Sequence, residues 1–354
     1  MEKFSLIIHP FSLQDFAFLL PQIKYIPKAI IERSARFLPP FQVSVLKGIR
    51  SENGLFSAEA EGELRCCPLM TQDFLSLPEE VIQRKVISTV ESAKKNGAKL
   101  VGLGGWTGLI GERGSTIAHK AGIPVSTGDG LTLYFALEAV KLAVQTKGID
   151  WNTVNLLILG VPGLTDSVSV CARLLARENH YLRLVVREYG KFDKTASEIL
   201  YETGVAVSVS GNLQEFVRQA DVLISFTTAE DSFEDIEAGD LKQGAIVCDI
   251  FWPRNLAKKL ARERKDVLVI EGGVVSIPGS VAGDFRWKNL SSKCPAWMAE
   301  VMILALEKRY ETYSLGNNIG IGQVEEIGRL AHKHGFKLAG FQVLEDCWSR
   351  DLFY

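Results

Sequence analysis

Short apolar runs alternate with stretches of helical periodicity along most of the chain. After residue 150 the apolar runs are nearly continuous in Val, Ile and Leu, and read LLILG, RLVVR, VAVSVS, DVLISF, AIVCDI and VLVIEGG. Runs of this kind are typical of parallel strands that helices cover on both faces. The pattern therefore predicts a parallel sheet whose strands alternate with helices.

The first 150 residues predict a smaller α/β unit. KFSLIIHP indicates a strand, a helix follows from Leu13, and the polar stretch SENGLFSAEAEGELRC suggests a hairpin. Pro78 begins a helix that Gly97 ends before the strand KLVGLGG, and IPVSTG indicates another short strand. The helix DGLTLYFALEAVKLAVQTKG, which Asp129 can cap and Gly148 can end, is expected to link the two units.

The chain length favours more than one domain, because 354 residues exceed what one ordinary core holds. The segment after about Asn289 is helical in pattern, with CPAWMAEVMILALEKRYETY and GQVEEIGRLAHKHG. We expect an N-terminal substrate-side α/β domain at 1–149, a Rossmann-type parallel-sheet domain at 150–288, and C-terminal helices at 289–354 that pack back on the domain interface.

Composition excludes several classes of protein. Lys and Arg number 40 against 42 Asp and Glu, a net charge of −2, so a nucleic acid or an anionic membrane would have to be recognised by a local patch. No apolar stretch approaches eighteen residues and no leader pattern precedes the first strand, which predicts no transmembrane segment and a cytoplasmic location. The cysteines and histidines lack metal-ligand spacing, so no metal is expected.

The chemistry is expected at the turn after LLILG. In VNLLILGVPGLTDSVSVCARLLARENHYLRLVVR, Gly160 and Gly163 allow a sharp turn and a close approach of a pyrophosphate to the free N–H groups of the next helix. The predicted cofactor contacts in this turn are Gly160, Pro162, Gly163, Leu164 and Thr165. Asp166 replaces the third glycine of the fingerprint, where a carboxylate either caps the helix or repels a phosphate.

Arg187 ends the second strand, where NAD enzymes usually carry an acidic residue. An arginine suits a 2′-phosphate, so NADP(H) is the expected cofactor. The alternative for Arg187 is a solvated arginine at a strand end, and the alternative for the glycine turn is a nucleotide-type fold that has lost its ligand. Ser225, Thr227 and Asp249 follow the next strands and are expected to project toward the site, although Asp249 equally suits an Asx cap.

Two further segments carry candidate catalytic groups. GLGGWTGLIGERG, residues 102–114, holds six glycines with Thr107 and Glu112, and suits either a ligand approach or a tight loop with positive φ angles. Cys294 precedes a predicted helix start and follows Lys293. Both features lower a thiol pKa and favour a nucleophilic thiolate, whereas an inert core cysteine is the alternative.

The ordered set LIIHPFSL, GLGGWTGLI, TGDGLTLY, the GxxG turn, IEGGVV, AEVMILALE and GQVEEIGRLAHKHGF resembles the cyanobacterial-type aldehyde-forming long-chain acyl-ACP reductases and their amino-acid-dehydrogenase-like relatives. The resemblance covers nearly the whole chain. It implies that a cysteine takes the acyl group as a thioester and that NADPH reduces this thioester to a fatty aldehyde. It also implies that Gly272 and Gly273 lie near the nicotinamide. Trp297 stands where the family has its nucleophile, so Cys294 is the replacement candidate.

The expected function is therefore NADPH-dependent reduction of a fatty acyl thioester, carried by acyl carrier protein or coenzyme A. Two alternatives are a dehydrogenase of a small amino, keto or hydroxy acid without covalent catalysis, and a non-catalytic nucleotide- or carrier-binding homologue. An acidic carrier would meet basic residues near the site. RWKNLSSK, with Arg286, Lys288 and Lys293, and KKLARERK, residues 258–265, are the available clusters, unless they are ordinary solvated faces. The oligomeric state stays open.

Overall fold

The computed structural model describes residues 2–52, 58–187, 189–227, 233, 236–251, 254–271, 273–279, 281–282, 292–315, 318–340 and 342–343. The first sheet has five strands: β1 (Glu2–Ile8), β2 (Phe41–Arg50), β3 (Glu59–Cys66), β4 (Leu100–Leu103) and β5 (Val125–Ser126). Their order is β2-β3-β1-β4-β5. Only the β2 to β3 pair is antiparallel, as expected for a hairpin. The other three pairs are parallel.

Helices surround this first sheet. They are α1 (Leu13–Leu19), α2 (Lys28–Ser34), α3 (Thr71–Ser76), α4 (Glu79–Lys95), the single turn α5 (Ile110–Arg113), α6 (Ser115–Ala121) and α7 (Asp129–Thr146). Short 3₁₀ turns span Pro21–Tyr25, Ala35–Phe37 and Gly105–Leu109. The predicted helix starts at Leu13 and after Pro78 are confirmed.

The remaining strands are β6 (Leu156–Gly160), β7 (Leu182–Val186), β8 (Ser208–Ser210), β9 (Val222–Phe226), β10 (Ile246–Asp249), β11 (Leu268–Glu271), β12 (Val274–Ser276), β13 (Lys293–Pro295), β14 (Lys337–Leu338) and β15 (Gln342–Val343). The helices are α8 (Thr165–Ala176), α9 (Asp193–Thr203), α10 (Leu213–Val217), α11 (Asn255–Glu263), α12 (Ala296–Leu306) and α13 (Ile321–His334), with 3₁₀ turns at Tyr189–Phe192 and Ala238–Asp240.

The second sheet has the order β15-β11-β10-β9-β6-β7-β8. The six strands from β6 to β11 pair in parallel, and β15 joins β11 in the antiparallel sense. Reading from β8 to β11, this is the Rossmann order, in which the chain runs outward from β6 on one side and from β9 on the other. The predicted α/β fold class is confirmed, while the domain boundaries stay a prediction.

Helix α7 connects the two cores, and α12 completes the core of the first sheet. Leu133, Val140 and Val144 of α7 pack in the core of the second sheet, whereas Leu131 and Phe135 pack in the core of the first. Helix α12 is apolar except for Glu300, and every one of its residues except Trp297 is buried. It lies against the first sheet, although it comes from the far end of the sequence. The third sheet, β13-β12-β14, leads into it.

One predicted cap is wrong. Asp129 is the first residue of α7 and Gly128, in the left-handed region at φ 72, is its N-cap. The Asp129 carboxylate instead pairs with Arg113 at 2.7 Å. This ion pair is largely buried, and desolvation raises the pKa of Asp129, although Arg113 opposes that rise.

Candidate functional site

The candidate site is the crevice at the carboxyl ends of β6, β9 and β10. Strands β6 and β9 are direct neighbours, and the chain leaves them in opposite directions along the sheet. In open parallel sheets, ligands bind outside the carboxyl ends at such a switch point. The turn after β6 and the ends of β9 and β10 therefore define the site.

The two glycines of the turn, Gly160 and Gly163, have different structural roles. A Cβ on Gly160 would lie 2.9 Å from Val168 of α8 and 3.1 Å from Val186 of β7, so this glycine allows close packing of the helix on the sheet. Gly163 has φ +83, and nothing lies within 4 Å of where its Cβ would stand. The bend is therefore at Gly163, which faces open space, whereas the sequence placed it at Gly160.

The turn leads into a helix start that no side chain caps. Leu164 is the N-cap of α8 and makes no side-chain cap hydrogen bond, and Thr165 is the first helical residue. Leu164 is buried and Pro162 is exposed. Unpaired N–H groups and the helix dipole make this end suitable for an anion. Asp166 lies in the first turn, exposed, and desolvation raises the pKa of its carboxyl.

Arg187 lies directly after β7, next to the turn. Its backbone N–H donates to the Gly160 carbonyl at 3.2 Å. Its side chain is exposed, and the guanidinium carbon lies 4.6 Å from the centroid of the Phe233 ring. The structure therefore puts an exposed guanidinium, stacked on an aromatic ring, beside the end of the first strand.

Asp249 and Thr227 meet at the ends of β10 and β9. The Thr227 hydroxyl donates to Asp249 at 3.0 Å, and the Ala257 N–H in the first turn of α11 lies 3.4 Å from the other carboxylate oxygen. Asp249 and Thr227 are fully buried. Burial raises the pKa of Asp249 to about 6, although these hydrogen bonds oppose the rise. The structure thus brings together two residues that the sequence predicted separately.

A second charged group beside Asp249 was missed. Arg254, in the left-handed region at φ 60, pairs with Glu271 at 3.0 Å, and both side chains are largely buried. Burial, and next the charge of Arg254, lowers the pKa of Lys258. The pairing joins the start of α11 to the end of β11, and no local sequence signal predicts it.

Thr107 belongs to the other sheet. It is fully buried and donates to the Gly104 carbonyl at 2.8 Å, which closes its own turn. His9 holds the same turn, because its Nε2 accepts from the Trp106 N–H at 3.2 Å. Burial lowers the pKa of His9 to about 4, so the ring is neutral and Nδ1 donates to Pro10. The hydroxyl of Thr107 is therefore engaged in structure.

The glycine-rich segment ends in a left-handed turn. Gly111, Glu112, Arg113 and Gly114 have φ values of 61, 53, 52 and 91. For Glu112 and Arg113 this conformation is strained. The turn aims Arg113 at Asp129, and its guanidinium carbon lies 5.3 Å from the Phe251 ring centroid, just after β10. The strained turn therefore connects the first sheet to the edge of the candidate site.

The expectation of a lowered pKa at Cys294 is wrong. The residue lies in β13, opposite Val275 of β12, and is 2% exposed. Burial raises the pKa of its thiol far more than the hydrogen bond from Ala299 lowers it. The helix does begin just after it, with Pro295 as N-cap. The helix start and Lys293 do not offset the loss of water around the sulfur, and its nucleophilic role stays a prediction.

Trp297 fills the space that three glycines leave. A Cβ on Gly104 would lie 2.2 Å from its indole ring, and a Cβ on Gly128 would lie 2.2 Å from its Cα. A Cβ on Gly102 would lie 3.5 Å from the nearest atom of the indole ring. The indole therefore packs over the end of β4, at the position where the resemblance places the nucleophile.

Gly273 and Glu300 lie beside this region. Gly273 has φ +93, and its carbonyl accepts from the Ala296 N–H at 2.7 Å, near Cys294. Gly272 lies outside the described residues, as do Arg286 and Lys288. Glu300 is fully buried and accepts from Ser126 at 2.6 Å and from the Leu131 N–H at 2.8 Å. Burial raises its pKa to about 7.

The described residues contain neither a metal cluster nor a membrane-spanning helix. No three His, Cys, Asp or Glu side chains among them are grouped so as to hold a metal ion. Across those same ranges, no helix has the length and apolarity that a bilayer crossing requires.

No protein-family model matches the chain. The chain is 28% identical over 274 residues to the long-chain acyl-(acyl-carrier-protein) reductase of Synechococcus elongatus, and the alignment covers 72% of this chain and 75% of the reductase. It is 30% identical over 285 residues to the aminotransferase PigE of Serratia sp. (strain ATCC 39006), over 79% of this chain. The chain spans only 32% of that aminotransferase. It is thus weakly homologous to the reductase.

Among solved structures, quinate dehydrogenase from Corynebacterium glutamicum in complex with NAD aligns with 93% of this chain and 98% of that chain, at 9% identity and a TM-score of 0.36. A likeness at this level carries no inference about the chain.

Proposed function

We propose that the protein is an NADP(H)-dependent oxidoreductase that acts in the crevice at the ends of β6, β9 and β10. The observation that carries this proposal is the switch point of the parallel sheet, where the open turn at Gly163 leads into the uncapped start of α8. The N–H groups at the start of α8, which no side chain caps, and the open space beside the Cα of Gly163 suit a pyrophosphate. Arg187 supplies the positive charge for a 2′-phosphate.

The nicotinamide, when bound, supplies a hydride. In this proposal Pro162, Gly163 and the first turn of α8 hold the pyrophosphate, and the ends of β9 and β10, with Thr227 and Asp249, face the reacting end. Gly273 lies on the next loop. Asp166 is the one residue in the turn that opposes a phosphate, and its exposure leaves its carboxylate room to turn outward.

The proposed substrate is a fatty acyl thioester, and the product is an aldehyde. The weak homology with the Synechococcus elongatus reductase supports this choice. In the reaction the carbonyl carbon gains a hydride, the carbon–sulfur bond breaks, and the sulfur leaves as a thiol after taking a proton. Asp249, whose raised pKa keeps it protonated up to about pH 6, is the proposed proton donor.

We place the direct reduction ahead of the covalent route. A thioester on Cys294 would need a thiolate, and burial disfavours that form. The covalent route retains one supporting observation, because Cys294 lies directly before the start of α12 and three residues before Trp297, the position where the resemblance puts the acyl-accepting residue.

The test is turnover of acyl-ACP and acyl-CoA with NADPH, followed by NADPH absorbance and by chromatographic detection of the aldehyde. We expect aldehyde to form in proportion to NADPH consumed, and Cys294→Ala to retain this turnover. Loss of aldehyde in Cys294→Ala with unchanged NADPH affinity would establish the covalent route. NADPH consumption with a keto acid alone, or no NADPH binding at all, would overturn the proposed function.

A further inference from the structure

The helical segment 12–38 forms a small unit beside the first sheet. Helices α1 and α2 and the two 3₁₀ turns enclose their own core, which contains Phe16, Ile23, Ile31 and Ala35 together with Met70. Ile31 is the only residue of α2 that is buried. The inner face of the segment is thus packed in this small core, and its outer face is exposed to solvent.

That outer face carries large apolar side chains. Tyr25 is 81% exposed, Ile26 42%, Ile30 54% and Phe37 74%. We call these four residues the outer patch. Single exposed apolar side chains are common on protein surfaces, but these four lie within thirteen residues along the chain, a concentration that favours an interaction surface.

The outer patch lies in a basic segment of an acidic chain. Residues 21–40 contain Lys24, Lys28, Arg33 and Arg36 against Glu32 alone, a net charge of +3, whereas the whole chain carries −2. Lys28, Arg33 and Arg36 are exposed. The guanidinium carbon of Arg36 lies 5.1 Å from the centroid of the Phe37 ring.

We propose that the outer patch seats the protein on an anionic lipid surface. The four side chains protrude into solvent, which suits insertion among lipid headgroups better than packing against the rigid face of a partner. Aromatic and branched aliphatic tips flanked by Lys and Arg are the combination that binds at a membrane interface. The protein would then lie on the bilayer, which agrees with the lack of a spanning helix among the described residues.

This proposal is independent of the reaction proposed above. The experiment is co-sedimentation of the full chain with vesicles of phosphatidylcholine alone and with vesicles of equal parts phosphatidylcholine and phosphatidylglycerol. We expect binding to the anionic vesicles, weak or no binding to the neutral ones, and release by added salt, because salt screens the attraction of the basic residues.

Two variants test the patch itself. Tyr25→Ser combined with Phe37→Ser removes apolar tips, and we expect it to abolish sedimentation with the vesicles. Lys28→Glu combined with Arg33→Glu reverses two charges, and we expect at least about a tenfold fall in the partition coefficient, since each basic residue near an anionic surface contributes about 1 kcal/mol. Circular dichroism checks that both variants keep the fold.

The matched control lies on α9. Leu200 is 52% exposed and Tyr201 is 93% exposed, but Glu198 and Glu202 flank them. Leu200→Ser with Tyr201→Ser removes a similar apolar area and should leave vesicle binding unchanged. The proposal is overturned if the wild type ignores anionic vesicles, if the control falls as far as the patch variant, or if the patch variant instead dissociates a dimer in sedimentation velocity runs without lipid.

Discussion

Asp249 combines full burial with a hydrogen-bonded carboxyl at the end of a central strand. Its neighbours are a hydroxyl on β9 and the first turn of α11, and the Arg254–Glu271 pair lies close by. Groups with a strongly shifted pKa in a crevice are frequent at active sites. At the residue scale, Asp249 is therefore the group on which the proposed chemistry depends most.

Asp249→Asn should lower turnover by at least about a hundredfold, because it removes the proposed proton donor. In the wild type, kcat/KM should fall as the pH rises through about 6, since the carboxyl then loses its proton. Thr227→Val removes a bond that stabilises the ionised form and should move this fall to higher pH. A pH profile that is the same in the wild type and in Thr227→Val would contradict the assignment.

Arg187→Ser should reduce the preference for NADPH over NADH by about tenfold or more, because charge-assisted hydrogen bonds contribute about 1.5–3 kcal/mol. Titration calorimetry with both nucleotides measures the change. Arg183 is the matched control, since it lies on β7, which ends just before Arg187, and its guanidinium carbon is likewise near a ring, 5.3 Å from the Phe216 centroid. Equal losses of NADPH preference in Arg183→Ser and Arg187→Ser would contradict the role of Arg187 in binding the 2′-phosphate.

Single residues were predictable where a local rule applied and not where the surroundings decide. Strand ends pointed to Thr227 and Asp249, because parallel strands put their carboxyl ends at one edge. The predicted lowering of the Cys294 pKa was wrong, because the sequence shows a helix start and a lysine but does not show the burial that outweighs both. Arg254 and Glu271 were missed, because their pairing exists only in the folded chain.

At the scale of elements, α12 caps α7. The Glu300 carboxylate accepts from the Leu131 N–H, and Ser314 accepts from the Gly130 N–H, so two free N–H groups in the first turn of α7 are satisfied from outside the helix. Ser126 and Ser314 donate to the same carboxylate. A buried carboxylate held by donors on three segments fixes how the two helices meet.

Glu300→Gln tests this cap through pH. The folded pKa is about 7 and the unfolded value about 4.5, so the native state binds more protons between them and stability falls as the pH rises across that window. The fall amounts to about 3 kcal/mol at most. Urea unfolding at pH 5 and pH 8 should show this fall in the wild type and not in Glu300→Gln. The control is Glu178→Gln, which alters an exposed ion pair and should keep the fall.

Gly104→Ala tests the contact between β4 and α12. The added Cβ would overlap the Trp297 ring, so we expect a loss of about 1–3 kcal/mol in the free energy of unfolding. Adding Trp297→Ala should abolish most of that loss, which a double-mutant cycle measures. Gly322→Ala is the control, because nothing lies within 4 Å of its Cβ position. Additive losses in the double variant would contradict the contact.

Elements with strong local patterns were predictable, and short ones were not. The six parallel strands and the helices after Pro78 and Gly128 follow from continuous apolar runs and helical periods. The sheet β13-β12-β14 was missed, because two- or three-residue strands leave no periodicity and depend on distant partners. The positive φ angles at residues 111–114 agree with the tight-loop alternative for the glycine-rich segment.

For the whole molecule, the cores of the two sheets share residues of helices α7 and α13. One face of the first sheet, with Phe4 and Leu6, packs in the same core as Met302 and Val301 of α12. Helix α7 contributes to both cores. The predicted boundary between 1–149 and 150–288 therefore falls between the two sheets, whereas each core contains residues from both sides of it.

A fragment of residues 1–149 should accordingly fail to unfold cooperatively and should bind ANS, because the surface that α12 covers is exposed. Joining residues 292–340 to it through a flexible linker should restore a cooperative urea transition, which circular dichroism follows. A cooperative transition in the fragment alone would contradict the shared core.

The position of α12 after strands β6 to β11 also constrains synthesis in the cell. The first sheet leaves the ribosome long before Ala296–Leu306 is translated, so its apolar face stays uncovered while the second sheet is being made. Nascent chains should therefore engage holding chaperones during this interval, and a stall before codon 296 should leave an aggregation-prone product.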